Sequence, residues 1–369
     1  MADSYIRAGF YQAGSGDVCV AKLDSTLFTH LIYVPSSPLR ILKLKFCLHE
    51  DDLRHVTTLT HHVTCKALLA LPYSFYARPR PNQTQVSTTE IAREHQFHGV
   101  HFTLVAFDAP FLDFCEDWRA AAAQETTLTS PVHTVLYDPT PRPTCQYTPL
   151  YGDEPSDTRA IHAKLRTCLD AGVDPSILVL GLARHGFCFQ LKDPSVHGMG
   201  APVDETPCAW LIGHGCHPRG KHAECCNVTR QRLPPHIDPQ KGSVAYRDVK
   251  EFIKERKAKY CYDSTTESAY CHHGTTWICY DNTLTISQKV AYLKNMSLKG
   301  YALDSLHEDT SDWDLSNAAR RSLLIVAEDK QTRSNWKAKE DKGKQKKQSR
   351  SRREIIAHGV DIFAQKEKV

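Results

Sequence analysis

The sequence predicts an α/β protein built as a (β/α)8 TIM-type barrel that is incomplete by one βα unit. Short apolar runs alternate along the chain with segments long enough to form a helix, which implies parallel strands joined by right-handed crossovers. The chain has 369 residues, 41% of them hydrophobic, which is enough to bury a large core. Barrels of this type usually need about 250 residues and carry their chemistry at the carboxyl ends of the strands.

The candidate strands follow one another at intervals that leave room for helices. After an apolar stretch near Ala8, further runs occupy residues 27–34, 66–71, 99–107, 132–137, 177–182 and 299–306. These are seven strands, whereas a standard barrel has eight. A parallel barrel that lacks one unit either leaves strand edges unpaired or changes its pairing, so we do not expect a standard closed ring.

The most informative stretch is residues 97–105, which follows a short helical segment at 91–95 and is typical of a buried strand. Side chains alternate between the faces of a strand, so His101, Thr103 and Val105 are expected to project into one cavity. Aligned without gaps, the stretch resembles the F-D-G-x-D-x-D-x-E strand of glycoside hydrolase family 18. His98, His101, Thr103 and Val105 then stand at its four acidic positions.

Further segments resemble the plant class V chitinases of that family, in the family's own order, from about residue 5 to residue 320. Residues 8–11 and 25–33 are similar to its first two strands. Residues 171–182 are similar to the family's A-G-x-x-x-x-x-L-V-L-G-L pattern, and residues 197–202 to its H-G-I-G-A-P pattern. Residues 242–253 are similar to G-S-M-x-Y-x-x-I-x-x-F-I, and residues 270–281 to Y-C-x-x-G-T-T-W-I-G-Y-D. The resemblance thus covers a predicted barrel domain at residues 1–327.

The resemblance implies a substrate-assisted mechanism, in which the sugar's N-acetyl oxygen attacks the anomeric carbon and a Glu donates a proton. Val105 stands at the position of that Glu and has no proton to donate, so we expect a catalytically inactive protein. An alternative alignment with a three-residue insertion gives the donor role to Asp108. That insertion falls inside a barrel strand, where a slip of one residue reverses every side chain.

Tyr137 and Asp138 match the Tyr-Asp pair that follows strand 6 of the family, whose Tyr steadies the acetamido oxygen. With the family's spacing, strand 5 and its helix are then absent between Val105 and Tyr137. An alternative places residues 136–138 on a later loop, which removes strand 6 as well. Tyr137 also suits a strand-end aromatic residue packed under a loop.

The aromatic sugar platform of the family is altered in this chain. Asp304 stands where the family has the Trp below the central subsite. A sugar's apolar surface stacks on aromatic faces, and Trp277 equally suits the core of an inserted region. The expected ligand-binding residues are Tyr11, Tyr137, Asp138, Trp277, Tyr280 and Asp281.

Three interpretations of function remain open. In the first, the chain is an inactive chitinase-like protein that binds GlcNAc-containing oligosaccharides or chitin. In the second it is a hydrolase that uses Asp108, and in the third it is a degenerate copy without carbohydrate function. The sequence predicts a monomer, and no cofactor is expected.

Cysteine and histidine are concentrated between residues 201 and 242, inside a small α+β region predicted at residues 188–282, where the resembling family has an insertion. The paired C-x2-C spacing of zinc sites is absent, so we expect a surface loop and no metal. The residues concerned are Cys208, His214, Cys216, His217, His222, Cys225 and Cys226.

The predicted tail at residues 328–369 contains a basic run at 342–353 without aromatic residues, which favours disorder. A nuclear-import or nucleic-acid patch is the alternative, but nucleic acid is not the partner that we expect. No apolar run approaches the roughly 20 residues of a membrane span. The family is mainly secreted or vacuolar, whereas no signal peptide is visible here, so localisation stays open.

Overall fold

The computed structural model describes the chain in ranges separated by gaps. These ranges are residues 5–12, 23–35, 40–42, 45–47, 65–71, 92–102, 132–135, 149–152, 160–170, 172–204 and 243–325. The predicted tail and the Cys/His-rich stretch at 208–226 lie outside the described residues, and disorder of the tail stays a prediction.

The described residues contain short strands and four helices of ten or more residues. The helices are α1 (Ile161–Asp170), α2 (Tyr246–Arg256), α3 (Thr283–Asn295) and α4 (Asp314–Leu324), and none is long and apolar enough to cross a membrane. The strands are β1 (Ile6–Gln12), β2 (His30–Val34), β3 (Arg40–Leu42), β4 (Lys45–Cys47), β5 (Lys66–Leu71), β6 (Gly99–Phe102), β7 (Val132–Val135), β8 (Leu178–Ala183), β9 (His185–Leu191), β10 (Val203–Asp204), β11 (Ser243–Ala245), β12 (Lys259–Asp263), β13 (Ser268–His273), β14 (Thr276–Tyr280) and β15 (Gly300–Asp304).

Seven strands form a closed parallel barrel in the order β1-β15-β8-β7-β6-β5-β2, and β2 returns to β1. Each neighbouring pair around this ring is parallel. Every apolar run chosen from the sequence supplies one of these strands. The α/β barrel with one strand fewer than the standard eight is therefore confirmed.

The β6–β7 pair marks the place where the sequence lacks a βα unit. Two residue pairs join these strands, His101 with Val132 and Phe102 with His133, whereas five pairs join β15 and β8. Of the two outcomes expected for a missing unit, the structure shows the change of pairing. β6 and β7 pair directly with each other. The N–H and C=O groups along these strands therefore have partners that they would lack at an open sheet edge.

Side chains of the barrel strands alternate between the barrel interior and the helical layer outside it. The interior holds a small apolar cluster of Ala8, Phe10, Ile32, Leu68, Ala70, Val179 and Ala302. Neighbouring positions such as Leu31, Leu180 and Leu303 join the larger core, which includes residues of all four helices. β8 is buried along its whole length, as expected for a parallel strand covered on both faces.

A second, antiparallel sheet begins directly after β8, with Arg184 between β8 and β9. Its strand order is β10-β9-β14-β13-β12, and β11 also pairs with β9. One face packs into the larger core with α2, and the other carries Phe189, Tyr270 and Trp277 in a separate cluster. These elements lie in the stretch where an α+β region is predicted, while the domain boundaries at 188, 282 and 327 stay predictions.

Local sequence explains where the helices of the second half begin and end. The Asn282 side chain accepts hydrogen bonds from the N–H groups of Leu284 and Thr285, and the Thr285 hydroxyl accepts one from the Asn282 N–H. This capping box satisfies donors that have no partner within the helix, and it starts α3. Lys257 adopts the left-handed conformation that ends α2.

Gly300 allows β15 to lie against β1, and we expect Gly300→Ala to destabilise the barrel. A Cβ atom there would lie 1.9 Å from the Ile6 carbonyl oxygen, and the φ angle of +155° disfavours any side chain. The expected loss in free energy of unfolding is about 2–4 kcal/mol, measured by urea denaturation. Gly198→Ala is the matched control, because a Cβ there meets nothing within 4 Å, and an equal loss in both variants would contradict the prediction.

His30 is expected to make stability fall as the pH decreases from about 6.5 to 4. Its pKa is lowered to about 4, mainly by burial and then by the nearby charges of Lys66 and His98. In this pH window the unfolded chain binds a proton that the folded chain does not bind. The free energy of unfolding therefore falls by on the order of 2–3 kcal/mol.

The measurement is urea denaturation of His30→Gln and of the parent chain between pH 4 and pH 7. The variant should show a flatter dependence of unfolding free energy on pH, while His273→Gln, at an exposed position, should keep the parent's slope. An unchanged slope in His30→Gln would show that other groups set the acid sensitivity.

Candidate functional site

The carboxyl ends of the barrel strands form the candidate site, as the fold class predicts. Alternation along β1 and β15 directs Gln12 and Asp304 towards the same side as the interior residues Phe10 and Ala302. Gln12 is buried and Asp304 is half-buried. These two polar residues at strand ends can therefore face a ligand at the barrel mouth.

His101 confirms the expected direction of its side chain, because it packs on the interior residue Phe10. The two rings meet edge to face with 5.1 Å between centroids, and His101 has 0% of its surface exposed. An interior position occupied by an acid in the resembling motif is thus filled here by a buried imidazole.

His98 has a different place and extends the pairing between β5 and β6. The ring atom Nδ1 of His98 accepts a hydrogen bond from the backbone N–H of Ala67 at 3.1 Å. The backbone N–H of His98 donates to the Ala67 carbonyl at 2.8 Å. His98 therefore helps to set the register at the start of β6. The structure does not bring it next to His101 in the barrel interior, since the two lie on opposite faces of the strand.

Five residues singled out from the sequence lie outside the described residues. They are Thr103, Val105, Asp108, Tyr137 and Asp138. Their roles stay predictions.

Arg184 is a buried charged residue at the end of β8 that sequence reasoning did not single out. It stands between β8 and β9, and its guanidinium is fully buried. Nη2 donates to the Ser316 hydroxyl at 2.6 Å, Nη1 donates to the Ser305 carbonyl at 3.3 Å, and Nε lies 3.6 Å from Asp309 Oδ2. The last distance is an ion pair rather than a hydrogen bond. The signal available in the sequence was a charged residue directly after an apolar run. Its partners could not be identified, because they are distant in the sequence.

Asp309 pairs with Arg184 and also caps α4. The residue before that helix is Trp313, whose side chain makes no capping hydrogen bond. Asp309 instead accepts from the N–H groups of Leu315 and Ser316, both at 3.1 Å, and from the Ser316 hydroxyl at 2.6 Å. A carboxylate is favourable there, because the start of a helix carries unpaired N–H groups and a partial positive charge.

Glu308 is engaged in a second buried pair. One oxygen of Glu308 lies 3.2 Å from His185 Nδ1 and accepts a hydrogen bond from the Ser305 N–H at 3.0 Å. Burial by itself raises the pKa of Glu308, but His185, and then His307 and the Ser305 N–H, lower it well below the usual range of a carboxyl group. Glu308 is thus held ionised and is unsuited to donate a proton.

The expected aromatic sugar contacts are in the hydrophobic cores. Tyr11 packs on Tyr33 with 6.3 Å between ring centroids, in the outer core rather than in the barrel interior. Tyr280 lies in that same core near Tyr246. Trp277 has 0% exposure and stacks on Tyr270. Trp277 therefore packs in a core, as the alternative interpretation expected, and sugar binding at the three residues stays a prediction.

Asp281 is held in a buried ion pair with Lys289 of α3. Lys289 Nζ lies 2.7 Å from one carboxylate oxygen and 2.5 Å from the other, and the Thr285 hydroxyl donates to the first at 2.7 Å. Burial lowers the pKa of Lys289, whereas Asp281 raises it. The geometry gives Asp281 a role in joining β14 to α3, whereas sugar binding at this residue stays a prediction.

A possible metal-ligand group among the described residues lies on the antiparallel sheet. One donor atom of each of His197, Cys261 and His272 lies within 4.8 Å of the other two. The sequence predicts no metal site, and the Cys/His-rich stretch that was considered for one lies outside the described residues.

Comparison with known sequences identifies related proteins. The profile of glycosyl hydrolases family 18 matches residues 113–309. Class V chitinase CHIT5b of Medicago truncatula is 31% identical over 173 residues, which are 47% of this chain and 38% of that protein. The chain thus spans well under half the length of this relative.

Solved structures share the fold at lower identity. A class V chitinase mutant from Nicotiana tobaccum in complex with NAG4 has a TM-score of 0.69 and 21% identity, covering 87% of this chain and 99% of that one. The chitinase-like agglutinin RobpsCRA from Robinia pseudoacacia has a TM-score of 0.65 and 22% identity, covering 86% and 99%.

We expect Arg184→Met to lower the free energy of unfolding by about 3–5 kcal/mol, because it leaves the buried Asp309 carboxylate without its cation. Denaturation in urea at neutral pH measures the change. The control is Arg166→Met, since Arg166 pairs with Asp170 on the exposed side of α1, and its loss should stay below about 1 kcal/mol. Similar losses in the two variants would show that the buried pair is not a main support of the fold.

Proposed function

Because the chain belongs to glycosyl hydrolases family 18, we propose that it binds GlcNAc-containing oligosaccharides at the carboxyl end of its barrel without hydrolysing them. The observation that carries the proposal is the buried His101, which faces the barrel interior where the family motif has an acid. Binding and loss of catalysis are two claims, and they rest on different features of the molecule.

Loss of catalysis follows from the chemistry that the mechanism needs. The donor must hold a proton at neutral pH and deliver it to the glycosidic oxygen, which requires a carboxyl group with a raised pKa. The aligned position holds Val105, and Thr103 and His101 replace the acids that orient the acetamido group. A neutral hydroxyl or imidazole cannot supply the negative charge that such a row of carboxylates places beside the reacting sugar.

Two described carboxylates that follow β15, Glu308 and Asp309, do not substitute for the missing donor. Glu308 is paired with His185, and Asp309 is paired with Arg184 and with the start of α4. His185 and the groups around it lower the pKa of Glu308 well below its usual range, so this carboxyl group has no proton to transfer at neutral pH. The Asp309 carboxylate is occupied by Arg184 and by the N–H groups of Leu315 and Ser316.

Binding is supported by the relatives and by the polar residues that remain at the mouth. The tobacco relative was solved in complex with NAG4, and the Robinia relative is called an agglutinin. In this chain Gln12 and Asp304 end β1 and β15 on the inward face, where an amide and a carboxylate can bond to sugar hydroxyl or acetamido groups. The expected ligand is therefore a short GlcNAc oligomer.

The test is isothermal titration of the full chain with the GlcNAc tetramer, combined with chromatography of the sugar after prolonged incubation. We expect saturable binding and no shorter oligomers above a no-protein control. Asp304→Ala should weaken binding about tenfold, which corresponds to about 1.4 kcal/mol and to the loss of a hydrogen bond to a charged group. Asp170→Ala, on the exposed side of α1, should bind like the parent.

Other outcomes decide between the remaining interpretations. Turnover that Asp108→Ala abolishes and that Tyr137→Phe leaves intact would establish a hydrolase with Asp108 as the acid. Neither binding nor turnover, in a chain that unfolds cooperatively, would establish a copy that has lost its carbohydrate function.

A further inference from the structure

The antiparallel sheet carries a cluster of ligating side chains on the face that holds Trp277. Cys261 lies opposite Tyr270 in the register of β12 and β13, and Lys259 lies opposite His272. Residues two apart on a strand share a face. Cys261 and His272 are therefore diagonal neighbours on one surface, at a separation that long side chains can bridge.

His197 reaches the same place from the loop that follows β9. Its carbonyl accepts a hydrogen bond from Trp277 Nε1 at 3.0 Å, which fixes the loop against β14. A further backbone bond from the Ala201 N–H to the Gly198 carbonyl, at 3.1 Å, closes the turn beside it. The His197 ring lies parallel to that of His272, with 3.8 Å between centroids and 17° between planes.

This arrangement leaves polar atoms without the partners that burial normally requires. His197 Nδ1 and His272 Nε2 are both buried and have no hydrogen-bond partner among the described residues. A buried polar atom without a partner costs free energy, and a bound ion is one of the few arrangements that account for it. These two atoms belong to stacked rings that lie beside the free thiol of Cys261.

We propose that His197, Cys261 and His272 bind a transition-metal ion, with Zn²⁺ as the cation that this donor set fits. Their donor atoms lie within 4.8 Å of one another. Ligand atoms around a tetrahedral zinc are roughly 3.3–3.6 Å apart, given bonds of about 2.0–2.1 Å to nitrogen and 2.3 Å to sulfur. Side-chain movements of about 1 Å would bring the donor atoms to these separations. The fourth position would take a water molecule.

The chemistry of the donors selects the ion. A thiolate and two neutral imidazoles favour zinc and similar metals, whereas calcium and magnesium require oxygen ligands. Binding converts the Cys261 thiol to a thiolate and releases its proton to solvent.

A metal at this point would join three segments of the antiparallel region. His197 belongs to the loop after β9, Cys261 to β12 and His272 to β13. β12 and β13 already pair along five residues, and the Trp277 side chain holds the His197 loop through its carbonyl. The ion would act as a cross-link on the outer face of the sheet, independent of sugar binding at the barrel mouth.

The test uses the full chain, stripped with a chelator and then loaded with Zn²⁺ or with Co²⁺ as a spectroscopic probe. We expect the parent to bind Co²⁺ with the thiolate charge-transfer band and the intense visible bands of tetrahedral coordination. Cys261→Ser, His272→Ala and His197→Ala should each bind at least about 100-fold more weakly, since loss of an outer partner alone costs about 10–100-fold. Zn²⁺ should raise the Tm of the parent by on the order of 5 °C and leave that of the variants unchanged.

Matched variants separate this site from the other cysteines and histidines of the chain. His273→Ala changes the next residue of β13, which is exposed and on the opposite face, and Cys168→Ser changes a buried thiol of α1. Both should keep the parent's cobalt spectrum and affinity. Parent-like binding by Cys261→Ser and His272→Ala would overturn the proposal, as would a cobalt spectrum without the thiolate band.

Discussion

The buried guanidinium of Arg184 is the constraint on which the mouth of the barrel depends. Removing a cation from water costs free energy. Several hydrogen-bond acceptors and an anion must therefore surround a buried guanidinium to offset that cost. Its acceptors come from Ser305, Asp309 and Ser316, which lie more than 120 residues further along the chain. The loop after β15 and the start of α4 are thereby held against the end of β8, and the Phe28 ring covers the guanidinium from a fourth segment.

The same constraint occupies two of the described acids that follow β15. Asp309 neutralises Arg184 and serves as the N-terminal acceptor of α4, and Glu308 is occupied by His185. Acids that could carry chemistry are therefore engaged in holding loops together. The barrel interior beside them is apolar, and His101 packs into it against Phe10. Recognition of a sugar by polar groups at the mouth is compatible with this arrangement.

The antiparallel sheet shows how one element can serve two cores. Its inner face completes the large core through Cys271 and Ile278, and its outer face buries Trp277 in a separate cluster. Because strand side chains alternate, residues chosen for aromatic or acidic character divide between these cores rather than collecting at one site. The outer face also brings together His197, Cys261 and His272, whose order in the sequence does not suggest a ligand set.

The sequence by itself determined the elements, and the tertiary structure decided what their polar residues do. Length and periodicity of apolar runs are local properties, so the seven strands and the inward direction of His101 could be predicted. Arg184 and Asp309 could not be paired from the sequence, because nothing local marks two buried charges 125 positions apart as partners. Burial of Tyr11 and Trp277, and the direct pairing of β6 with β7, likewise depend on which distant segments meet, and only the folded chain settles that.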